Sequence, residues 1–141
     1  MTKSGHSLRL SASAGLMCFL AALTGGCPFA PGQTLILDAD DSGGDVNVRV
    51  GARVLLVLSG NASTGYEWEI TELDTSVLEH TRTSYRSACT IPMPGCGEIE
   101  TWRFTALSPG STILRMIYHR PWEEVEPART FELTVTVTGS D

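Results

Sequence analysis

Three short polar stretches carry the residues of this chain that are best suited to specific chemistry. They are Asn61–Gly65 (Asn-Ala-Ser-Thr-Gly), Gly95–Glu98 (Gly-Cys-Gly-Glu) and Arg120–Trp122 (Arg-Pro-Trp), here called loops 1, 2 and 3. Loop 1 combines an amide, two hydroxyls and a glycine suited to a tight turn. Loop 3 places a proline between Arg and Trp, two residue types that dominate protein interfaces. Such side chains on the loops of a rigid scaffold usually serve binding or catalysis.

Each loop lies between segments that are predicted to be β-strands. Alternation of apolar and polar residues is clear in Val46–Val50 and Phe131–Val137, and no segment has a sustained apolar period of 3.6 residues. Short strands separated by turn residues predict an all-β sandwich of about eight strands. The predicted strands are Thr34–Leu37, Asp45–Val50, Arg53–Leu58, Tyr66–Glu72, Val77–Thr83, Glu98–Thr105, Thr112–Tyr118 and Arg129–Val137.

In their order and spacing, the three loops and the strands beside them resemble the chagasin-type inhibitors of papain-like cysteine peptidases. That family is marked by an Asn-Pro-Thr-Thr-Gly loop, a Gly-rich loop and an Arg-Pro-Trp loop, and the resemblance covers Thr34 to Val137. It implies an immunoglobulin-like β-sandwich with the loops at one end, which inhibits reversibly by filling the active-site cleft. The positions that it implies for peptidase binding are Asn61, Ala62, Ser63, Thr64, Gly65, Tyr66, Gly95, Gly97, Glu98, Arg120, Pro121 and Trp122.

Three positions depart from the family pattern. Ala62 replaces proline, so loop 1 should be less rigid, and Ser63 replaces a threonine but keeps its hydroxyl. Glu98 replaces a glycine and puts a carboxylate where bare backbone is expected to approach the enzyme. We expect inhibition to survive the changes in loop 1, and Glu98 to weaken binding or narrow the choice of targets.

The N-terminus has the layout of a secretory signal peptide over residues 1–26. Lys3 and Arg9 precede a short apolar run, and Thr24-Gly25-Gly26-Cys27 resembles a bacterial lipobox with Thr24 in place of its usual apolar residue. Lipidation of Cys27 would anchor an envelope protein with a tether over residues 27–33 and an inhibitor domain over 34–141. Ordinary cleavage would instead release a secreted domain, and both alternatives place the protein outside the cytoplasm.

Two cysteines remain after export, and an oxidising compartment favours their pairing. Cys18 is removed with the signal and Cys27 carries the lipid, which leaves Cys89 and Cys96 to form a disulfide. Zinc is not expected, because neither His80 nor His119 has a second ligand at the usual spacing. Asp38–Gly43 imitates the start of a calcium loop, but Arg49 stands where the bidentate Glu is required, so a polar turn is the better interpretation.

The charge and the absence of catalytic motifs argue against nucleic-acid binding and against an enzyme. Loss of Lys3 and Arg9 takes the formal charge from −6 to −8, and no basic run exists to bind nucleic acid. No nucleophile–base or phosphate-loop motif is present, so we expect neither an enzyme nor a cofactor. The expected protein is a monomer that meets the membrane only through its lipid. The alternative function is an envelope lipoprotein with a structural or adhesive module and no peptidase target.

The aromatic residues divide into two groups by their position. Trp68, Trp102 and Phe104 alternate along predicted strands and are expected in the core, whereas Trp122 stands in a loop and is expected at the surface. The acidic residues of 123–126 are expected to be solvated.

Overall fold

The fold is built from eight β-strands. A computed structural model describes residues 32–139, in which the strands are β1 Thr34–Asp38, β2 Asp45–Arg49, β3 Arg53–Gly60, β4 Glu67–Glu72, β5 Leu78–Ser87, β6 Glu98–Ala106, β7 Gly110–His119 and β8 Arg129–Thr138. Only two single 3-10 turns, at 39–41 and 62–64, are helical within this part of the chain. The predicted signal peptide, the Cys27 lipidation site and most of the tether lie outside the described residues.

The strands form two four-stranded sheets packed face to face. One sheet has the order β1-β3-β6-β5 and the other β2-β8-β7-β4. The β1–β3 and β2–β8 pairs are parallel, and the remaining neighbours are antiparallel. The predicted all-β sandwich of eight strands is therefore confirmed.

Alternating apolar residues of both sheets fill the space between them. In β3, Val54, Leu56 and Leu58 are almost fully buried, and in β8 the same holds for Leu133 and Val135. Their partners include the aromatic residues predicted for the core, Trp68, Trp102 and Phe104, which are 6%, 8% and 1% exposed. Placement of these aromatic side chains in the core is confirmed.

The β5 strand extends four residues beyond its predicted end. The sequence predicts a strand that stops at Thr83, whereas the structure continues the pairing with β6 to Ser87, opposite Glu98. β5 lies at the edge of its sheet and its last residues are mostly exposed, so they lack the apolar alternation that marks a strand in sequence.

The acidic segment that imitates a calcium loop forms a capped turn. The Asp38 side chain accepts a hydrogen bond from the Asp40 N–H at 2.9 Å, and the Asp41 carboxylate accepts one from the Asp38 N–H at 2.8 Å. These carboxylates therefore cap the 3-10 turn at 39–41. The structure thus confirms the prediction of a polar turn. Within residues 32–139, no group of three or more acidic, His or Cys side chains is placed to hold a metal ion. That part of the chain also has no helix long and apolar enough to cross a membrane.

Strand pairing brings the three loops to one end of the sandwich. Loop 1 leaves the last residue of β3, which pairs with Glu98 at the end of loop 2. Loop 3 leaves β7 at His119, which pairs with Glu67 just after loop 1. Residues that are 38 and 52 positions apart in sequence thus meet at a common edge.

Candidate functional site

Loop 1 is a compact 3-10 turn closed by its own hydrogen bonds. The Asn61 carbonyl accepts from the Thr64 N–H at 3.1 Å and from the Thr64 hydroxyl at 2.6 Å, and the Ser63 hydroxyl lies 2.5 Å from the Asn61 Oδ1. Gly65 ends the turn with φ +79°, a left-handed conformation that glycine adopts without strain. Ala62, Ser63 and Thr64 remain exposed, so loop 1 presents small side chains on a backbone of fixed shape.

Loop 3 presents Trp122 beside loop 1. The Trp122 side chain is 69% exposed, yet its ring lies so close to Gly65 that a Cβ there would stand 2.3 Å from the Trp122 Cη2. The side chain of Arg120 turns back instead: its Nε donates to the Thr64 carbonyl at 2.9 Å, and its Nη1 donates to Glu123 at 3.0 Å. Arg120 therefore joins loops 1 and 3. Glu123 is half-buried in this contact, so the expectation of a purely solvated acidic run was wrong at this residue.

Loop 2 is braced by the predicted disulfide and packs beside the start of loop 1. Cys89 and Cys96 are bonded, with their Cα atoms 6.0 Å apart, which confirms the pairing. Gly95 has φ +81°. A Cβ on Gly97 would come within 3.1 Å of the Gly60 carbonyl, a tight contact that the absence of a side chain avoids. Glu98 is half-buried as the first residue of β6.

An acidic groove of about 570 Å³ runs between the loops. Its walls include Ala62 and Gly65 of loop 1, Glu98 of loop 2 and Trp122 of loop 3, together with Glu67 and Glu100. Three carboxyl side chains therefore line this groove, and Glu98 is the one added by a departure from the family pattern.

Glu100 is a buried carboxyl beneath this groove. It is 4% exposed, and its Oε2 accepts a hydrogen bond from the Trp102 Nε1 at 3.1 Å. Burial raises the pKa of Glu100, an effect that the indole hydrogen bond partly opposes. Because the folded-state pKa lies above the unfolded value, the ionised carboxylate destabilises the fold, and this penalty grows as pH rises through the titration of Glu100.

The two histidines within residues 32–139, His80 and His119, have structural partners. The His119 Nε2 lies 2.7 Å from a Glu69 carboxylate oxygen, and the His80 ring packs on Trp102 and Phe104. Neither histidine lies in loops 1 to 3.

The structure brings together all twelve residues that were predicted for peptidase binding. All twelve are exposed or half-buried. Tyr66 and Arg120 also contact each other: the Arg120 guanidinium lies 4.5 Å from the Tyr66 ring centroid, and Tyr66 stacks on Tyr118 at 5.3 Å. Sequence reasoning missed Tyr118 and Arg129, which hydrogen-bond to the backbone at the start of loop 1, and Glu100, which lies beneath the groove. A signal for Glu100 existed, because it precedes Trp102 and Phe104 at even spacing on one strand face.

These features define a β-sandwich binding module that presents a preformed edge of three loops. The family model described as "Chagasin family peptidase inhibitor I42" matches residues 47–137, and the chain belongs to this family. The match confirms the resemblance carried by the three loops. Membership of an inhibitor family also agrees with the prediction that the chain is not an enzyme.

Similar proteins agree with this assignment. Amoebiasin-1 of Entamoeba histolytica is 25% identical over 103 residues, which cover 72% of this chain and 97% of that protein. The structure of the cysteine protease inhibitor EhICP2 from the same organism matches with a TM-score of 0.67 at 24% identity, covering 77% of this chain and all of the other. PbICP-C, solved in complex with falcipain-2, matches with a TM-score of 0.52 at 18% identity and covers 80% of this chain and 98% of its own.

Proposed function

We propose that the protein is a reversible inhibitor of papain-like cysteine peptidases and that loops 1, 2 and 3 together fill the active-site cleft. The observation that carries the proposal is the close approach of the loops: Trp122 lies on Gly65, Arg120 bonds to Thr64, and Gly97 of loop 2 lies close to the Gly60 carbonyl, directly before loop 1. Three loops that are already joined lose little conformational freedom on binding, which favours affinity.

Each loop has a distinct part in this mechanism. Loop 1 is the central wedge, because its exposed Ser63 and Thr64 can approach the catalytic Cys and His of the enzyme without bulky side chains. Loop 3 supplies one flank through the exposed indole of Trp122, and loop 2 supplies the other through Gly95, Gly97 and Glu98. Nothing in this arrangement requires covalent chemistry, so blockage of the cleft should be reversible.

A titration of papain with the purified protein tests the proposal. We expect inhibition that competes with a peptide substrate, reaches completion at one inhibitor per active site, and reverses on dilution. Papain with an irreversibly blocked catalytic Cys serves as a competitor for the inhibitor and should restore activity of the unblocked enzyme. Full peptidase activity in the presence of micromolar protein would refute the proposal for this enzyme class.

We further propose that the protein is exported and anchored through a lipid on Cys27. The support is the signal-like pattern of residues 1–26, and a disulfide between Cys89 and Cys96 suits an oxidising compartment. Wild-type protein should partition into the detergent phase, and Cys27→Ser should abolish this partitioning. Cys18→Ser is the matched control and should behave as wild type, because residue 18 is removed with the signal. Unlipidated wild-type protein in the aqueous phase would favour simple secretion.

A further inference from the structure

Arg129 lies outside all three loops but completes a row of side chains beneath loop 1. Trp68 of β4 pairs with Tyr118 of β7, and Tyr118 pairs with Arg129, the first residue of β8. The Arg129 guanidinium carbon lies 4.1 Å from the Tyr118 ring centroid and 5.2 Å from that of Trp68. Cation–π contacts over both rings hold the guanidinium at the loop end of the sandwich.

From this position Arg129 reaches across to the opposite sheet, where loop 1 begins. Its Nη2 donates to the Ser59 carbonyl at 2.7 Å and its Nη1 to the Ser59 hydroxyl at 2.9 Å, a fork that a lysine could not reproduce. The Trp68 indole N–H also donates to the Ser59 carbonyl, at 3.1 Å. The Tyr118 hydroxyl accepts from the Asn61 N–H at 2.8 Å. The backbone is thus fixed on the approach to loop 1 and at its first residue.

The far end of loop 1 is held by a second arginine through the same aromatic stack. Arg120 donates to the Thr64 carbonyl and lies over Tyr66, which in turn stacks on Tyr118. Arg129 and Arg120 therefore each hold one end of loop 1, and Tyr66 and Tyr118 connect them. Arg120 belongs to loop 3, but Arg129 belongs to none of the residues that mark the family.

We propose that Arg129 is a positioning residue of the inhibitory site, which keeps loop 1 in its binding conformation without touching the peptidase. This inference rests on the proposed function. Loop 1 has Ala62 where the family pattern has proline, so it lacks the backbone restraint that proline would add to its own hydrogen bonds. The contacts of Arg129 with Ser59 and Tyr118 supply a restraint from outside the loop.

A proline at position 62 can show whether Arg129 positions loop 1 or contacts the peptidase directly. Ala62 is the first residue of the 3-10 turn, a position that proline favours, and Asn61 before it lies outside the α region at φ −154° and ψ 88°. We expect Arg129→Ala to raise the inhibition constant about tenfold or more and to speed hydrogen exchange at the Asn61 and Thr64 amides. Addition of Ala62→Pro to that variant should restore most of the inhibition, with the inhibition constant of Ala62→Pro alone as the reference for the comparison.

Two further variants control for charge and folding. Arg103→Ala removes an exposed cation from β6, away from the loops, and should inhibit as wild type. Arg129→Lys keeps the charge but loses the fork to Ser59, so it should show a smaller loss of inhibition and provides the test if Arg129→Ala does not fold. Circular dichroism and thermal melts establish which variants are folded.

The outcomes separate this inference from the proposed function. Folded Arg129 variants with a wild-type inhibition constant would overturn it, and so would a loss of inhibition that Ala62→Pro leaves unrestored. Failure of wild-type protein to inhibit papain would instead refute the proposed function. In that case the exchange rates of the loop 1 amides still decide whether Arg129 positions the loop.

Discussion

Replacement of two tryptophans by alanine should have opposite consequences. Trp68 is 6% exposed, donates a hydrogen bond to Ser59 and packs on Tyr118 at 5.1 Å between ring centroids. Trp122 is 69% exposed, and its ring lies against Gly65 at the surface of loop 1. The first side chain therefore stabilises the fold, and the second is available to a partner.

The contacts set the size of each effect. Removal of a buried Trp leaves a cavity and costs about 3–5 kcal/mol of unfolding free energy, enough to lower the melting temperature by more than about 10 °C in a domain of this size. Removal of Trp122 exposes little new apolar surface and should shift the melting temperature by no more than about 2–3 °C. A central interface Trp contributes about 2–4 kcal/mol to binding, so Trp122→Ala should weaken inhibition roughly thirtyfold or more.

The assay pairs thermal melts of both variants with inhibition constants against papain. For Trp122→Ala we expect a nearly unchanged melt with a large rise in the inhibition constant. For Trp68→Ala we expect a large loss of stability whatever its effect on inhibition. The reasoning is wrong if Trp122→Ala inhibits as well as wild type, or if it unfolds the domain.

Three other changes test separate parts of the structure. Gly65→Ala should strain the left-handed turn and displace the Trp122 indole of loop 3. We expect inhibition to fall at least tenfold and the free energy of unfolding to fall by about 1–2 kcal/mol. An unchanged inhibition constant would argue against the contact between Gly65 and Trp122. Glu100→Gln should have a higher melting temperature than wild type at pH 7. The difference should disappear near pH 3, because the wild-type carboxyl is protonated there. The opposite pH trend would contradict a raised pKa of Glu100. Replacement of Cys89 and Cys96 by Ser should lower the free energy of unfolding by about 2–3 kcal/mol, because the unfolded chain is no longer restrained by an eight-residue ring. Complete alkylation of both cysteines in unreduced wild-type protein would disprove the disulfide.

Local sequence patterns predict the strands and the core because burial alternates with a period of two. Val54, Leu56 and Leu58 show this pattern in β3, and all eight strands were placed within a few residues. The end of β5 was missed because an edge strand needs no apolar alternation. The clustering of the loops followed from the family resemblance.

The supports beneath the loops depend on pairing between strands, which alternation alone does not determine. From the sequence, Arg129 is predicted only to be a polar residue at the start of a strand. Its register opposite Tyr118, and the position of Ser59 in the facing sheet, give it a partner on each side. These contacts join residues 59, 68, 118 and 129, so no local window contains them. For the same reason, the sequence does not predict the hydrogen bond from Arg120 to the Thr64 carbonyl, which joins residues 56 positions apart.

A hydrogen-exchange footprint of the complex tests the central claim most directly. The protein would be mixed with papain whose catalytic Cys is blocked by a small alkyl group, and its amide exchange compared with that of the free protein. We predict protection that appears in all three loops, residues 61–65, 95–98 and 120–122, and is absent from the opposite end of the sandwich at residues 50–52 and 107–109. Protection confined to that opposite end or to the sheet faces, with the three loops exchanging as in the free protein, would contradict the account.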